Sequence, residues 1–173
     1  KKTVYRLKLN EFEELKNIIK NKKNIGKIKM EVYRNVKPKN NFLSQVRELC
    51  YKNNLILIFD ECTSGFRENY GGIHKLFKVN PDIAIFGKAL GNGYPINAII
   101  GKREVMKSAN LSFISSTFWT ERLGPVAALE TLKIMEKDKV WEQITKNGIF
   151  LKEKWKKLIE KYKLNAEVSG LNS

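Results

Sequence analysis

Two charged groups at the ends of apolar runs carry most of the chemical content of this sequence. Leu55-Ile56-Leu57-Ile58-Phe59 leads directly into Asp60-Glu61, and Ile83-Ala84-Ile85-Phe86 leads into Gly87-Lys88. Short apolar runs of this kind read as fully buried strands, and in open parallel sheets ligands collect beyond the carboxyl ends of the strands. One strand would therefore deliver an anion to that edge and another a cation, 28 residues apart in the chain.

An apolar strand ending in Asp-Glu suits a magnesium-holding carboxylate of nucleotide hydrolysis, but that chemistry needs a phosphate loop of the form G-x-x-x-x-G-K-[ST]. At Gly87-Lys88 the pattern breaks, with Asp82 in place of the earlier glycine and Ala89 in place of the hydroxyl residue. The dinucleotide pattern G-x-G-x-x-G fails as well, because Gly91 and Gly93 are followed by Ile96. A lysine set among glycines at a strand end suits a nucleophile instead. The glycines let a planar group approach the backbone, and an amine partly drawn out of water is more readily made reactive. Such a lysine can form a Schiff base, and pyridoxal phosphate chemistry also asks for a carboxylate facing the pyridine nitrogen, for which Asp60 is the candidate. On spacing alone, a surface Lys88 and a helix-capping Asp60 account for the same residues.

The elements that must position these groups alternate along the chain. Thr3 to Leu7 has the weak alternation of a short strand, and Asn10 with Glu13 marks a helix start for Phe12, Leu15, Ile18 and Ile19. Ile28 to Val32 is a further strand, Pro38 with Asn40 and Asn41 a loop, and Phe42, Val46, Leu49 and Cys50 a helical stripe that runs into the strand at Leu55. Beyond Gly101, Arg103 to Ser108 fits a short helix and Leu111 to Ser115 a strand. Pro125 to Met135 and Val140 to Tyr162 fit two further helices. This order predicts an α/β domain with a mostly parallel sheet covered by helices.

Composition bounds the function. With 173 residues, 42% of them hydrophobic, the chain can bury one real core. It has no apolar run long enough to span a bilayer and opens on no apolar signal segment, so a soluble, cytoplasmic protein is expected. Cys50 and Cys62 fit reduced thiols better than a disulfide framework, and the single histidine, His74, makes a histidine-rich metal site improbable. The net charge of +15 raises nucleic-acid binding as a competing function. The lysines, however, are spread along the whole chain and along the polar sides of helices, including Lys152, Lys156, Lys157 and Lys161, which describes a solvated surface more than a binding patch.

The central residues carry a specific resemblance. Asp60-Glu61-Cys62-Thr63-Ser64-Gly65-Phe66-Arg67, then Pro81-Asp82, then Gly87-Lys88-Ala89-Leu90-Gly91-Asn92-Gly93-Tyr94-Pro95-Ile96-Asn97-Ala98 resembles the signature of class III pyridoxal-phosphate-dependent aminotransferases. Within them it is most similar to the glutamate-1-semialdehyde aminomutases. Weaker similarity extends from Ile28 through Met135 and includes Ser115-Ser116-Thr117-Phe118.

The resemblance implies part of the large domain of a fold-type I transferase, a three-layer α/β/α unit. Residues 1–163 would belong to that domain and residues 164–173 would open a small C-terminal one. It implies pyridoxal 5'-phosphate as cofactor, an amino donor and a carbonyl acceptor as substrates, and a homodimer. Lys88 would be the Schiff-base lysine and acid/base, Asp60 the partner of the pyridine nitrogen, and Cys62 the residue against the ring face, where the family usually has valine or isoleucine. Thr63 would lie near the ring hydroxyl and Thr117 would bind the cofactor phosphate of the neighbouring subunit.

Glu61 is expected to support the site from behind, Arg67 to brace the turn, His74 to be incidental, and Trp119 to serve as packing as readily as facing the site. The family's upstream phosphate-cradling motif, its upstream ring-stacking aromatic and most of its small domain have no counterpart in this sequence. A non-catalytic folding or oligomerising remnant of such an enzyme is therefore the main alternative.

Overall fold

The computed structural model describes the chain apart from residues 1, 2, 116, 118 and 119. The expectations placed on Ser116, Phe118 and Trp119 lie outside the described residues.

Helix α1 (Phe12–Asn21) precedes strand β1 (Lys27–Glu31), helix α2 (Phe42–Lys52) and strand β2 (Ile56–Asp60). A 3-10 turn at Ile73–Phe77 leads to strand β3 (Ile83–Phe86), and a second at Lys88–Leu90 leads to strand β4 (Ala98–Gly101). Helices α3 (Arg103–Met106), α4 (Leu123–Asp138) and α5 (Val140–Lys161) complete the order. The strands form one sheet in the order β1-β2-β3-β4. The first three are parallel and β4 runs antiparallel to β3, as a short connection requires, since a parallel return needs a long crossover. The α/β class and the mostly parallel sheet are as the sequence predicts.

Side-chain alternation decides what each face does. Leu57 and Phe59 of β2 are fully buried and join Val32, Phe42, Leu43, Val46 and Cys50 in the larger core, each such side chain contributing about 1.5–3 kcal/mol when withdrawn from water. On α2 the apolar positions 42, 43, 46 and 50 fall on one stripe and meet that face. Ala84 and Phe86 of β3 form a second core with Leu90 and with Ala128 of α4. Both cores draw on the same face of the sheet. Ile58 and Asp60 of β2 and Ile83 and Ile85 of β3, on the opposite face, stay only partly buried, and Ile99 of β4 is 58% exposed. Of the expected three layers, the sheet and the helices on one face form the packed part of this chain.

Some local expectations are corrected. Residues 3–7 form no strand, although Leu7 packs on the core. Asn10 does not cap α1. Its amide donates to Lys37 O and accepts from Lys39 N, tying the N-terminal segment to the loop before α2. The stretch from Leu111 to Ser115 leaves a 3-10 turn without forming a strand, and Phe113 is 97% exposed. Helix α5 has no fully buried residue, so the stripe that includes Leu151, Trp155 and Leu158 is half-open. The chain after α5 returns toward the body, where Tyr33 Oη donates to Gly170 O at 3.1 Å.

Candidate active site

Asp60 ends β2, a strand flanked on both sides, so its carboxylate is carried to the sheet's carboxyl edge by paired backbone. Its Oδ1 accepts from the Cys62 backbone N–H at 3.2 Å, and its Oδ2 pairs with Lys29 Nζ at 2.9 Å. Partial burial alone would raise the pKa of this carboxyl. The hydrogen bonds from Lys29 and from the Cys62 N–H outweigh it and hold the carboxyl below its usual range. Asp60 caps no helix, since a turn follows it.

Lys88 follows β3, the neighbouring strand. Gly87 before it is extended, and a Cβ there would lie 2.2 Å from Asn97 Oδ1 and 3.2 Å from Cys62 Sγ. A side chain at this position would require Asn97 to shift. Lys88 itself has φ +46°, a left-handed conformation that costs a residue with a Cβ about 1–2 kcal/mol and that tight functional turns tend to store. Its Nζ donates to Thr63 Oγ1 at 2.7 Å. The side chain is exposed, so the withdrawal from water expected of this amine is not supplied by the described residues.

Cys62 and Thr63 connect the two charges. Cys62 sits beside Asp60 through its backbone N–H, and burial pushes its thiol pKa up. The Asp60 carboxylate adds to that rise, while Lys88 and Lys29 oppose it. Arg67 Nε donates to Thr63 O at 2.8 Å, bracing the turn as expected. The structure thus brings Asp60, Cys62, Thr63 and Lys88 into one contiguous group at one edge of the sheet. Thr117 is exposed and, among the described residues, makes no hydrogen bond to any of the four.

Sequence reasoning missed two supports. His74 is not incidental. It is buried, its Nδ1 lies 2.8 Å from Glu61 Oε1, and its backbone N–H donates to the same oxygen at 3.0 Å. Ser64 Oγ donates to Glu61 Oε2. Burial would raise the Glu61 carboxyl pKa, yet these donors hold it below the usual carboxylate range. Asp82 is the other. Its carboxylate meets Arg47 Nη1 at 2.8 Å, Lys102 Nζ at 2.7 Å and the Leu57 backbone N–H at 2.8 Å, locking the starts of β2 and β3 to α2. Each depends on residues far apart in the chain, and no local pattern announces them.

The family model of class-III aminotransferases matches residues 32–171. The 3-aminobutyryl-CoA aminotransferase of Cloacimonas acidaminovorans is 46% identical over 112 residues, which is 64% of this chain and 27% of that protein. The glutamate-1-semialdehyde 2,1-aminomutase of Methanococcus maripaludis (strain S2) is 35% identical over 172 residues, 95% of this chain and 40% of that one. Among solved structures, Plasmodium falciparum ornithine delta-aminotransferase superposes with a TM-score of 0.82 at 25% identity, covering 94% of this chain and 44% of that one. The FumI protein of Sphingopyxis sp. MTA144 reaches 0.89 at 23% identity, over 95% and 41% of the two chains, a likeness of fold. This chain spans between about a quarter and two fifths of the length of these curated relatives.

Proposed function

The chain belongs to the class-III aminotransferase family, and on that premise we propose that it carries the lysine and the acid of a pyridoxal-phosphate-dependent amino-group transfer. The single observation behind this proposal is the contiguous run from Asp60 through Cys62 and Thr63 to Lys88. An ionised carboxylate and an accessible primary amine stand at the ends of neighbouring strands, with Gly87 passing close to Cys62 between them.

Those residues fit the cofactor's donor and acceptor pattern. Asp60 would face the ring nitrogen, Cys62 the ring face, Thr63 the ring hydroxyl, and Lys88 would be the point of attachment. When bound, pyridoxal phosphate supplies an electron-withdrawing ring conjugated to the substrate carbon. Asp60, held ionised by its two donors, would keep a proton on the ring nitrogen. Lys88 Nζ, resting on Thr63 Oγ1, would take a proton from the substrate carbon and return it. The substrates would be an amino donor and a carbonyl acceptor.

Thr117, exposed, would serve the phosphate site of a second subunit in a homodimer. Residues 1–163 would form the large-domain part and residues 164–173 the lead into a small domain. No helix among the described residues is long and apolar enough to cross a membrane; the proposed cytoplasmic setting rests on the two free thiols, Cys50 and Cys62.

Absorbance tests the proposal. Added pyridoxal phosphate should give a visible-region band in the wild type that is absent in Lys88→Ala. A band of equal strength in that variant would refute it. A second reading, a non-catalytic folding or oligomerising remnant, is favoured by the partly open sheet face around Ile99. Activity that appears on adding the missing N-terminal part of a relative in trans would exclude it.

A further inference from the structure

Strand β1 brings a lysine to the proposed cofactor carboxylate. In the parallel register Lys29 lies opposite Ile58, and Glu31 lies opposite Asp60. Residues 29 and 31 of β1 therefore share a face with residues 58 and 60 of β2. Two carboxylates, Glu31 and Asp60, consequently end adjacent strands side by side, an arrangement that disfavours ionisation of both. Lys29, one step back on the diagonal, sends its amine forward to Asp60 Oδ2 at 2.9 Å, while Glu31 is left with Arg34 Nη1 at the longer distance of 3.7 Å.

We infer that Lys29 is a positioning residue for Asp60: its ammonium fixes Oδ2, offsets the neighbouring Glu31, and keeps the carboxylate ionised and turned to the sheet edge where the cofactor's ring nitrogen would be met. The inference rests on the proposed function. Lys29 also precedes residues 32–171, the stretch matched by the family model, so that match does not supply its role.

The charged and titratable groups that face Asp60 are Lys29 and Glu31 from β1 and Cys62 from the turn. Among the influences that lower the Asp60 pKa, the hydrogen bond from Lys29 is the largest, acting against the partial burial that raises it. The Lys29 side chain is 56% exposed, so the coupling weakens as salt is added, and the variants needed to test it leave the core untouched.

The test follows the Asp60 carboxyl resonance through a pH titration of the cofactor-free full chain in wild type, Lys29→Met and Lys29→Arg, with pyridoxal phosphate affinity measured alongside at low salt. In Lys29→Met the Asp60 midpoint should move up and cofactor affinity should fall about two- to fivefold, the range of an exposed ion pair. Lys29→Arg should restore both. A Lys29→Met titration that superimposes on wild type overturns the inference, and so does unchanged cofactor affinity. If wild type takes up no pyridoxal phosphate while the Asp60 midpoint still moves in Lys29→Met, the functional proposal falls and the Lys29–Asp60 coupling stands.

Discussion

The Lys88 ammonium donates to Thr63 Oγ1 at 2.7 Å, so the residue that follows β3 is tied to the turn that follows β2. That bond closes the gap between the carboxylate end of one strand and the amine end of the next. It also holds a long, mobile side chain in one place before any ligand arrives, which reduces the ordering cost of binding.

Thr63→Val removes the acceptor and keeps the shape. Because the bond is exposed, stability should change by about 1 kcal/mol or less. The rate at which pyridoxal phosphate is taken up at Lys88 should fall several-fold. Urea unfolding and stopped-flow absorbance check the two effects separately.

Glu61 is fully buried and receives Ser64 Oγ together with the backbone N–H and ring nitrogen of His74. Replacing it by Leu strands those donors, and a loss of about 3 kcal/mol is expected. Denaturant midpoints measure it.

Acid should unfold the protein through the same groups. Asp60, Glu61 and Asp82 all have folded-state pKa values below their ordinary ones. The stability they contribute is therefore complete above the unfolded carboxylate range near pH 4, and it is lost as pH falls through the lower folded values. A flat denaturant midpoint from pH 7 to about 5, then a decline, is expected. Asp82→Asn should shrink the decline and cost about 3 kcal/mol at pH 7, since it weakens the partner of the buried Arg47.

Gly87→Ala places a methyl group 2.2 Å from Asn97 Oδ1. The backbone or Asn97 must move, at a cost of about 1–3 kcal/mol, and Lys88 moves with it. Cofactor uptake should be abolished in this variant, and Asn97→Ala in the same background should recover part of it. Absorbance titration distinguishes the two.

Much of this was legible from local pattern. The apolar runs at 55–59 and 83–86 do contain strands, although only alternate side chains are buried and the other face stays partly open, and the charges after them had only the sheet edge to occupy. Asp60 and Lys88 followed from that as candidates, and their partnership only from the resemblance of residues 60–67 and 87–98 to the family signature. What stayed hidden depends on long-range pairing. His74 carried no local motif, and its role appears only when the loop after β2 folds back on Glu61. Lys29 drew no notice in the sequence, and only the register and the fold bring it beside Asp60. Strand β4 was masked by the glycine- and proline-rich stretch before it, and the expected strand at residues 111–115 had apolar residues but no partner to pair with.

Peptide mapping after borohydride reduction addresses the central claim most directly. With 27 lysines in the chain, adventitious labelling by pyridoxal phosphate would scatter over many amines. The account predicts a single dominant pyridoxyl group, on Lys88, that is absent in Lys88→Ala and weaker when Asp60 is changed to Ala. Labelling spread evenly over surface lysines would contradict it.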